Sequence, residues 1–171
     1  MSASHAVNSD SFKVSTPSDR EIRLTRLFDA PRRLVFEVMT KPEHVAQWWG
    51  RLGDGYSVPE CEIDLRPGGK WRWVNRTPKG QLVVFYGVYR EITPPERLVY
   101  TEIFEQFPDT ESVVTTVLSE ENGKTRLTVT ASYPSLEVRD TVIKSGMERG
   151  AAISYDRLEE VAIQLKRASA R

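Results

Sequence analysis

Side chains that commonly carry catalysis are scarce in this chain. Its two histidines are His5 and His44, and no metal-site spacing such as HxH, HExxH or CxxC occurs. A serine–histidine–aspartate triad through His44 would need partners that no motif marks, so we interpret His44 as a surface or helix-cap residue. If the chain were a hydrolase or cyclase acting on a bound substrate, its candidate general bases would be Glu91, Glu102 and His44. The pattern favours a protein with no catalytic residues, no metal site and no cofactor.

The remaining reactive and charged residues have simpler interpretations. Cys61 alternates with two glutamates in a strand-like segment and is predicted to be a small buried side chain rather than a nucleophile. Glu102 begins an acidic run that we interpret as a solvated sheet end. Arginines and lysines interleave with Trp71 and Trp73, but strand alternation places the two sets on opposite faces. Lys+Arg and Asp+Glu both number 24, so no net charge favours nucleic acid.

The four tryptophans are concentrated in residues 48–73, within a chain of 171 residues. Such grouped aromatic side chains, together with a thioether and a few hydroxyls, suit a mostly apolar ligand that carries one or two polar groups. Trp48 is predicted to point away from Trp49, because adjacent helical residues do not share a face. The predicted ligand-binding residues are Trp49, Trp71, Trp73, Tyr100, Thr116, Met147 and Ser154.

The elements that must position these residues follow from periodicity. Residues 21–28 alternate as a strand, and apolar spacing predicts helices over 30–39 and 42–48. Turn residues separate six further strands, and their short links require antiparallel pairing. A helix over 136–167 ends the chain, with a break at Gly146 near its start. The six later strands are predicted at 57–66, 69–77, 81–92, 97–105, 112–120 and 124–133.

Turn chemistry predicts two hairpin registers. Asn122-Gly123 indicates a two-residue type I′ loop that pairs Leu118 with Leu127. A three-residue Pro-Gly-Gly loop would pair Ile63 with Trp73. For the strand over 81–92 the register stays open. A four-residue loop would turn Val84 and Tyr86 inward, and a five-residue loop would turn Val83 and Phe85 inward.

The terminal helix carries a stripe that includes small residues near its start, which predicts unfilled volume opposite Trp71 and Trp73. The alternative is that the tryptophans themselves fill this space. Residues 50–56 contain Gly53 and Gly55 and are predicted to form a mobile gate at the cavity mouth, or else a plain connector. The stripe is Met147, Ala151, Ser154, Leu158, Val161 and Leu165, with Glu159 expected outside it.

Composition bounds the rest of the molecule. One domain over 20–167 is expected, preceded by a serine-rich disordered leader at 1–19 and followed by a tail at 168–171. The leader lacks the apolar core of a secretory signal, and no apolar run is long enough to span a membrane. A single cysteine excludes an internal disulfide. These features predict a cytoplasmic monomer or homodimer.

The local sequences resemble a known family. The quoted segments are DAPRRLVFEVMTKPEHVAQWWG at 29–50, EIDLRPGGKWRW at 62–73, GVYREITPPERLVYTE at 87–102, GKTRLTVT at 123–130 and SGMERGAAISYDRLEEV at 145–161. They are similar to the family related to the C-terminal domain of the activator of heat-shock-protein-90 ATPase, within the START and birch-pollen-allergen (SRPBCC) superfamily.

The resemblance implies an α+β helix-grip fold, with a seven-stranded antiparallel sheet around a long C-terminal helix. Members include ligand carriers, stress-associated proteins and enzyme-like proteins. The first expectation is therefore non-catalytic binding of a small hydrophobic or aromatic molecule between the sheet and the C-terminal helix. The alternatives are a co-chaperone that binds and stimulates a heat-shock-protein-90 ATPase, and a hydrolase or cyclase acting on a cavity-bound substrate.

Overall fold

Eight strands form one antiparallel sheet that curves around the C-terminal helix in the computed structural model, which describes residues 8–170. The sheet order is β1-β2-β8-β7-β6-β5-β4-β3, and all neighbours are antiparallel. The strands are β1 Lys13–Ser15, β2 Glu21–Phe28, β3 Ser57–Ile63, β4 Lys70–Arg76, β5 Leu82–Thr93, β6 Arg97–Phe104, β7 Phe107–Glu121 and β8 Lys124–Ser132. The helices are α1 Arg32–Thr40, α2 Pro42–Trp48, α3 Leu136–Lys144 and α4 Met147–Ser169.

The core lies between the inner sheet face and the helices. Phe28, Val35, Leu127 and Leu158 are each fully buried there, because period-two alternation in the strands and the apolar stripe of α4 face each other. This is the predicted α+β helix-grip arrangement. Among the described residues, no helix is both long and apolar enough to cross a membrane.

The Asn122-Gly123 hairpin is confirmed. Leu118 pairs with Leu127, and the turn residues have φ angles of 53° and 80°, as a type I′ loop requires. The five-residue alternative for β5 is also confirmed, because Trp73 pairs with Phe85 and both side chains face inward.

The register predicted for the tryptophan hairpin is wrong by two residues. Trp73 pairs with Cys61, and Ile63 pairs with Trp71. The turn is longer than the Pro-Gly-Gly loop, because Arg66 N–H already donates to Asp64 O and Gly69 N–H donates to Arg66 O. A shift of two residues leaves every side chain on its predicted face.

The predicted disordered leader needs correction over its described part. Residues 9–11 form a 3-10 turn and Lys13–Ser15 adds the eighth strand, so the sheet exceeds the seven strands expected. Phe12 packs edge-on against Tyr155 with ring centroids 5.9 Å apart, and Ser9 Oγ donates to Asp156 at 2.9 Å. Long-range partners, which composition does not reveal, order this segment. Residues 1–7 of the predicted leader lie outside the described residues.

Two other boundaries differ from prediction. The link expected between the predicted strands 97–105 and 112–120 is shorter, because β7 begins at Phe107 and Phe104 pairs with Phe107, which leaves only two residues in the loop. The C-terminal helix breaks at Gly146 as predicted, where φ is +87°. Helix α4 continues to Ser169, so the first two residues of the predicted tail are helical.

A buried ion pair joins β2 to α4. Arg26 Nη2 lies 2.7 Å from Asp156 Oδ1 and 3.3 Å from Glu159 Oε1, and the side chains of Arg26 and Glu159 are fully buried. Glu159 Oε2 also accepts hydrogen bonds from Asp29 N–H and Asn8 Nδ2. The expectation that Glu159 lies outside the buried stripe is therefore wrong, because a cation on the facing strand compensates its burial.

Candidate functional site

Aromatic rings cluster where β4 faces the short helices. Trp71 and Trp73 alternate with Arg72, so both indoles project from the inner face. The Trp71 and Trp73 centroids lie 5.3 Å apart at 64°, and Trp49 lies 5.4 Å from Trp73 at 67°. Trp48 also contacts Trp73, at 6.0 Å and 87°. Trp48 was predicted to point away from Trp49, and both indoles contact Trp73, Trp48 from the end of α2 and Trp49 from the extended backbone that follows it.

A small cavity lies between these rings and α1. Its volume is about 40 Å³, which exceeds the space one water needs but is far below that of a typical drug-sized ligand pocket. Met39 covers the cavity from α1, and the other lining residues come from β4, β5 and β6. The lining consists of Met39, Trp71, Trp73, Tyr89, Leu98, Tyr100 and Glu102.

Glu102 is the one acidic side chain in this lining. Its carboxyl group makes no hydrogen bond or ion pair with another described residue, while its backbone carbonyl accepts from Ser112 Oγ at 3.4 Å. Burial among aromatic rings raises the pKa of the Glu102 carboxyl to about 7, because the charged form loses hydration without gaining a partner. The sequence interpretation of a solvated sheet end is therefore wrong for Glu102, whereas Glu105, Asp109 and Glu111 of the same acidic run are exposed. A carboxyl with this pKa can exchange a proton near neutral pH or neutralise a bound cation.

Other polar atoms face the same interior. Burial raises the pKa values of the Tyr89 and Tyr100 phenols, so both remain neutral hydroxyl groups. The Trp73 Nε1 atom is buried and has no hydrogen-bond partner among the described residues. The Thr116 hydroxyl faces Tyr100, and its Oγ1 lacks a hydrogen bond of good geometry within the described chain. The interior thus combines apolar walls with unused hydrogen-bonding atoms.

The sheet is locally open beside this cavity. The regular β5–β6 ladder is interrupted at Gly87, and Val88 N–H donates to Thr101 Oγ1 at 3.0 Å. Thr101 O instead accepts the indole N–H of Trp71 at 3.1 Å. A Cβ at Gly87 would lie 1.8 Å from Thr101 O, so only glycine permits this close approach. Trp71 therefore separates the inner cavity from a groove of about 310 Å³ on the outer face of the sheet.

The remaining predicted ligand-binding residues lie around the cavity rather than in its lining. Ser154 Oγ accepts a hydrogen bond from Gly50 N–H at 3.1 Å, so the hydroxyl holds the start of the 50–56 segment against α4. Met147 packs against the core and is only partly buried. Trp49 is not among the lining residues, but its ring contacts that of Trp73, which lines the cavity.

The two glycines predicted to act in the gate, Gly53 and Gly55, differ in their surroundings. Gly53 has open space where a Cβ would stand, whereas Gly55 has φ +86° and its Cβ would lie 3.1 Å from Pro78. Residues 53–55 are exposed, while Gly50 O accepts from Asn75 Nδ2 at 2.9 Å. The 50–56 segment is thus held in place at Gly50, and its exposed part is short.

The alternative reactive residues lie apart from the cavity lining. Glu91 is paired with Arg97 at 3.2 Å on the outside of the sheet. His44 Nε2 lies 3.9 Å from Glu37 Oε1 beside α1. Burial raises the pKa of the Cys61 thiol to about 12, which suppresses the nucleophilic thiolate. Of the three candidate bases, only Glu102 faces the interior.

Sequence reasoning missed Tyr89 and the inward position of Glu102. Strand alternation contained the signal for Glu102, because it lies two residues after Tyr100 and must share its face. Tyr89 follows from the same alternation once the five-residue loop fixes Phe85 as inward. The acidic residues further along the chain obscured this pattern.

Known proteins share the fold along almost the whole chain. A protein of Rhodobacter sphaeroides is 26% identical with a TM-score of 0.81, over 90% of this chain and 99% of its own. A protein of Nitrosomonas europaea is 26% identical with a TM-score of 0.77, over 88% and 99%. Ms6760 of Mycobacterium smegmatis, at 24% identity and a TM-score of 0.77 over 87% and 94%, shows the same fold.

A comparison with functionally curated proteins finds no match. The family model described as "Activator of Hsp90 ATPase homolog 1-like protein" matches residues 29–162. That match begins three residues before α1 and reaches the buried part of α4, so it includes every residue that lines the cavity. The chain therefore belongs to the Activator of Hsp90 ATPase homolog 1-like family.

Proposed function

We propose that this domain binds a small, mostly apolar molecule in the interior between the sheet and the helices, without transforming it. The observation that carries the proposal is the unpartnered carboxyl of Glu102 inside an aromatic cavity. The Glu102 side chain is partly buried, and withdrawing a carboxyl group from water without giving it a partner costs stability, which a ligand that supplies the partner would recover. The single free cysteine remains consistent with a cytoplasmic protein.

The cavity as it stands admits only part of a ligand. Its volume of about 40 Å³ accommodates a group of two or three heavy atoms, so a larger ligand must displace neighbouring side chains. Met39 is the side chain best suited to move, because an unbranched thioether repacks at small cost. Binding should therefore involve a shift of Met39 and of the ring stack around Trp73.

Tryptophan fluorescence and thermal shift test this proposal against a library of lipids, aromatic compounds and polyketides. All four tryptophans belong to the cluster around Trp73, so occupation of the cavity should change the emission. We expect saturable quenching together with a raised Tm for at least one apolar class. No response from any class would refute the proposal.

A cavity-filling variant locates the binding. Leu98→Phe adds volume at a lining residue that is 4% exposed and should abolish the response while circular dichroism remains native. The matched control is Leu118→Phe, which overpacks the same sheet face at a residue outside the lining and should retain binding. Equal ligand affinity in both variants would place the binding elsewhere.

The co-chaperone alternative is supported by the family description itself. It would use an outer surface, and the groove floored by Tyr86, Val88 and Ile103 is the surface to test. Val88→Arg should then abolish both complex formation and stimulation of a heat-shock-protein-90 ATPase, whereas Leu98→Phe should leave them unchanged. Stimulation without any ligand would favour this alternative over interior binding.

A further inference from the structure

Four aromatic rings enclose the cavity at steep mutual angles. Trp71 contacts Tyr100 at 5.7 Å and 84°, and Tyr89 contacts Tyr100 at 6.0 Å and 69°. Together with the inclined Trp71–Trp73 pair, these contacts are edge to face rather than stacked. Several ring faces therefore stay available to a group inside the cavity, and an aromatic face carries partial negative charge.

The only formal charge in the lining is also negative. Glu102 supplies a carboxyl group, and no lysine, arginine or histidine lines the cavity within the described chain. The titratable groups that interact electrostatically with the Glu102 carboxyl are the phenols of Tyr100, Tyr133 and Tyr155. Burial keeps their pKa values above the ordinary range, so they contribute neutral hydroxyl groups. The unpartnered Trp73 Nε1 adds one neutral donor.

We propose that the cavity recognises the protonated amino group of a small organic amine, with the ammonium held by Glu102 and surrounded by the faces of Trp71, Trp73, Tyr89 and Tyr100. This inference rests on the proposed function and names the ligand class for the same site. An ammonium ion gains from aromatic faces and from a carboxylate at once. Anions are repelled by the same groups, and a neutral hydrocarbon leaves the carboxyl unpartnered.

The volume of the cavity favours small ammonium groups over large ones. A space of about 40 Å³ suits a primary ammonium on one methylene group, whereas a quaternary ammonium with three methyl groups requires displacement of the rings. The apolar remainder of the ligand extends past Met39, which closes the cavity from α1. The ligand class is therefore a primary amine that bears a hydrophobic or aromatic substituent.

Proton linkage follows from this arrangement. Ammonium binding favours the ionised carboxyl, and the pKa of the free Glu102 carboxyl is about 7. Affinity should be constant above that pH and should fall roughly tenfold for each pH unit below it, because protons compete with the amine. The phenols stay neutral over this whole interval and leave the profile unchanged.

The test uses two molecules of equal shape, benzylamine and ethylbenzene, titrated against the full chain at pH 8 by calorimetry and tryptophan fluorescence. We expect benzylamine to bind at least tenfold more tightly than ethylbenzene. Glu102→Gln keeps the shape of the side chain and should remove or reverse this preference. Glu91→Gln, which removes an exposed carboxyl from the same sheet, should leave both affinities unchanged.

Two results would overturn the inference in different ways. Equal binding of the two probes, or a preference that survives in Glu102→Gln, would show that charge recognition is absent while interior binding stands. Failure of both probes, and of the wider apolar library, would overturn interior binding itself. Circular dichroism and the unfolding midpoint of Glu102→Gln confirm that the variant is folded.

Discussion

At the scale of single residues, the Glu102 carboxyl couples the stability of the domain to pH. Its pKa is raised from 4.5 to about 7 by burial, so the folded state binds a proton more tightly than the unfolded chain does. Its contribution to stability is therefore fully present below about pH 4.5 and is lost as the pH rises through 7. The displacement of this pKa corresponds to about 3 kcal/mol.

Glu102→Gln should accordingly stabilise the protein at pH 8 by up to about 3 kcal/mol and change little at pH 4. Urea unfolding of both proteins at the two pH values measures the difference. Glu120→Gln, at an exposed position of β7, is the matched control and should show no pH-dependent gain. Equal unfolding midpoints at pH 8 would contradict a costly buried charge.

The sequence predicts only those side chains of the site whose position follows from strand alternation. Trp71 and Trp73 follow from alternation with Arg72 in one strand, and Tyr100 follows from the next apolar strand. Met39 lies on a helix whose approach to the sheet is set by long-range packing, which no local pattern encodes. The partner of Ser154 is a backbone N–H more than a hundred residues away, so its structural role was equally hidden.

At the scale of elements, the β5–β6 junction depends on the missing side chain of Gly87. Gly87→Ala would place a Cβ 1.8 Å from Thr101 O and 2.8 Å from Trp71 Nε1, so the strands must separate or the indole must move. We expect a loss of about 1–3 kcal/mol, typical of overpacking, and an altered near-ultraviolet circular dichroism signal. Gly53→Ala, which meets open space, is the control. Unchanged spectra in Gly87→Ala would show that the sheet tolerates the added methyl group.

The contact between β2 and α4 depends on a buried charge pair. Glu159→Leu removes one of the two carboxylates that pair with Arg26 among the described residues, and we expect a loss of roughly 3–5 kcal/mol. The double variant that carries Arg26→Met and Glu159→Leu should lose less stability than the two single variants lose in sum, because it leaves neither of the two charges buried. Urea unfolding of the four proteins measures the coupling. Strict additivity would mean that the two charges act independently.

Element order and type were predictable because periodicity and turn residues are local signals. The Asn122-Gly123 turn specified both its geometry and its register. The register of the tryptophan hairpin was predicted wrongly because several loop lengths are compatible with Pro-Gly-Gly. The face assignment was still right, because a shift of two residues keeps each side chain on the same face of the sheet. The buried Arg26 could not be predicted, since its partners lie on the last helix of the chain.

At the scale of the whole molecule, the two chain ends are joined at α4. The N-terminal segment packs Phe12 on Tyr155 and binds Asp156 and Glu159 through Ser9 and Asn8. Helix α4 is thus held from one side by β2 and the N-terminal segment, and from the other by Gly50 through Ser154. A ligand that binds in the interior as we propose would have to enter through a part of the molecule that these contacts leave free.

Residues 53–55 are the exposed part of the 50–56 segment that leads from Trp49 to β3, and we predict that they admit ligand past the Trp49–Trp73 contact. Leu52 lies against Gly150 of α4, since a Cβ added at Gly150 would be 3.9 Å from Leu52 Cδ2. Motion of the 50–56 segment can therefore uncover that side of the helix. A glycine loses more conformational freedom on ordering than other residues do. Stiffening the segment should therefore slow its opening and closing.

Gly53→Ala is the informative change, because its added methyl group meets open space, whereas Gly55→Ala would introduce strain at φ +86° and against Pro78. We expect association and dissociation of a bound ligand to slow together by severalfold in Gly53→Ala, with Kd and Tm nearly unchanged. Stopped-flow tryptophan fluorescence measures both rates. Gly55→Ala should also lower Tm, which separates strain in the loop from gating. If both rates in Gly53→Ala equal those of the unmodified protein while ligand still binds, residues 50–56 only connect α2 to β3.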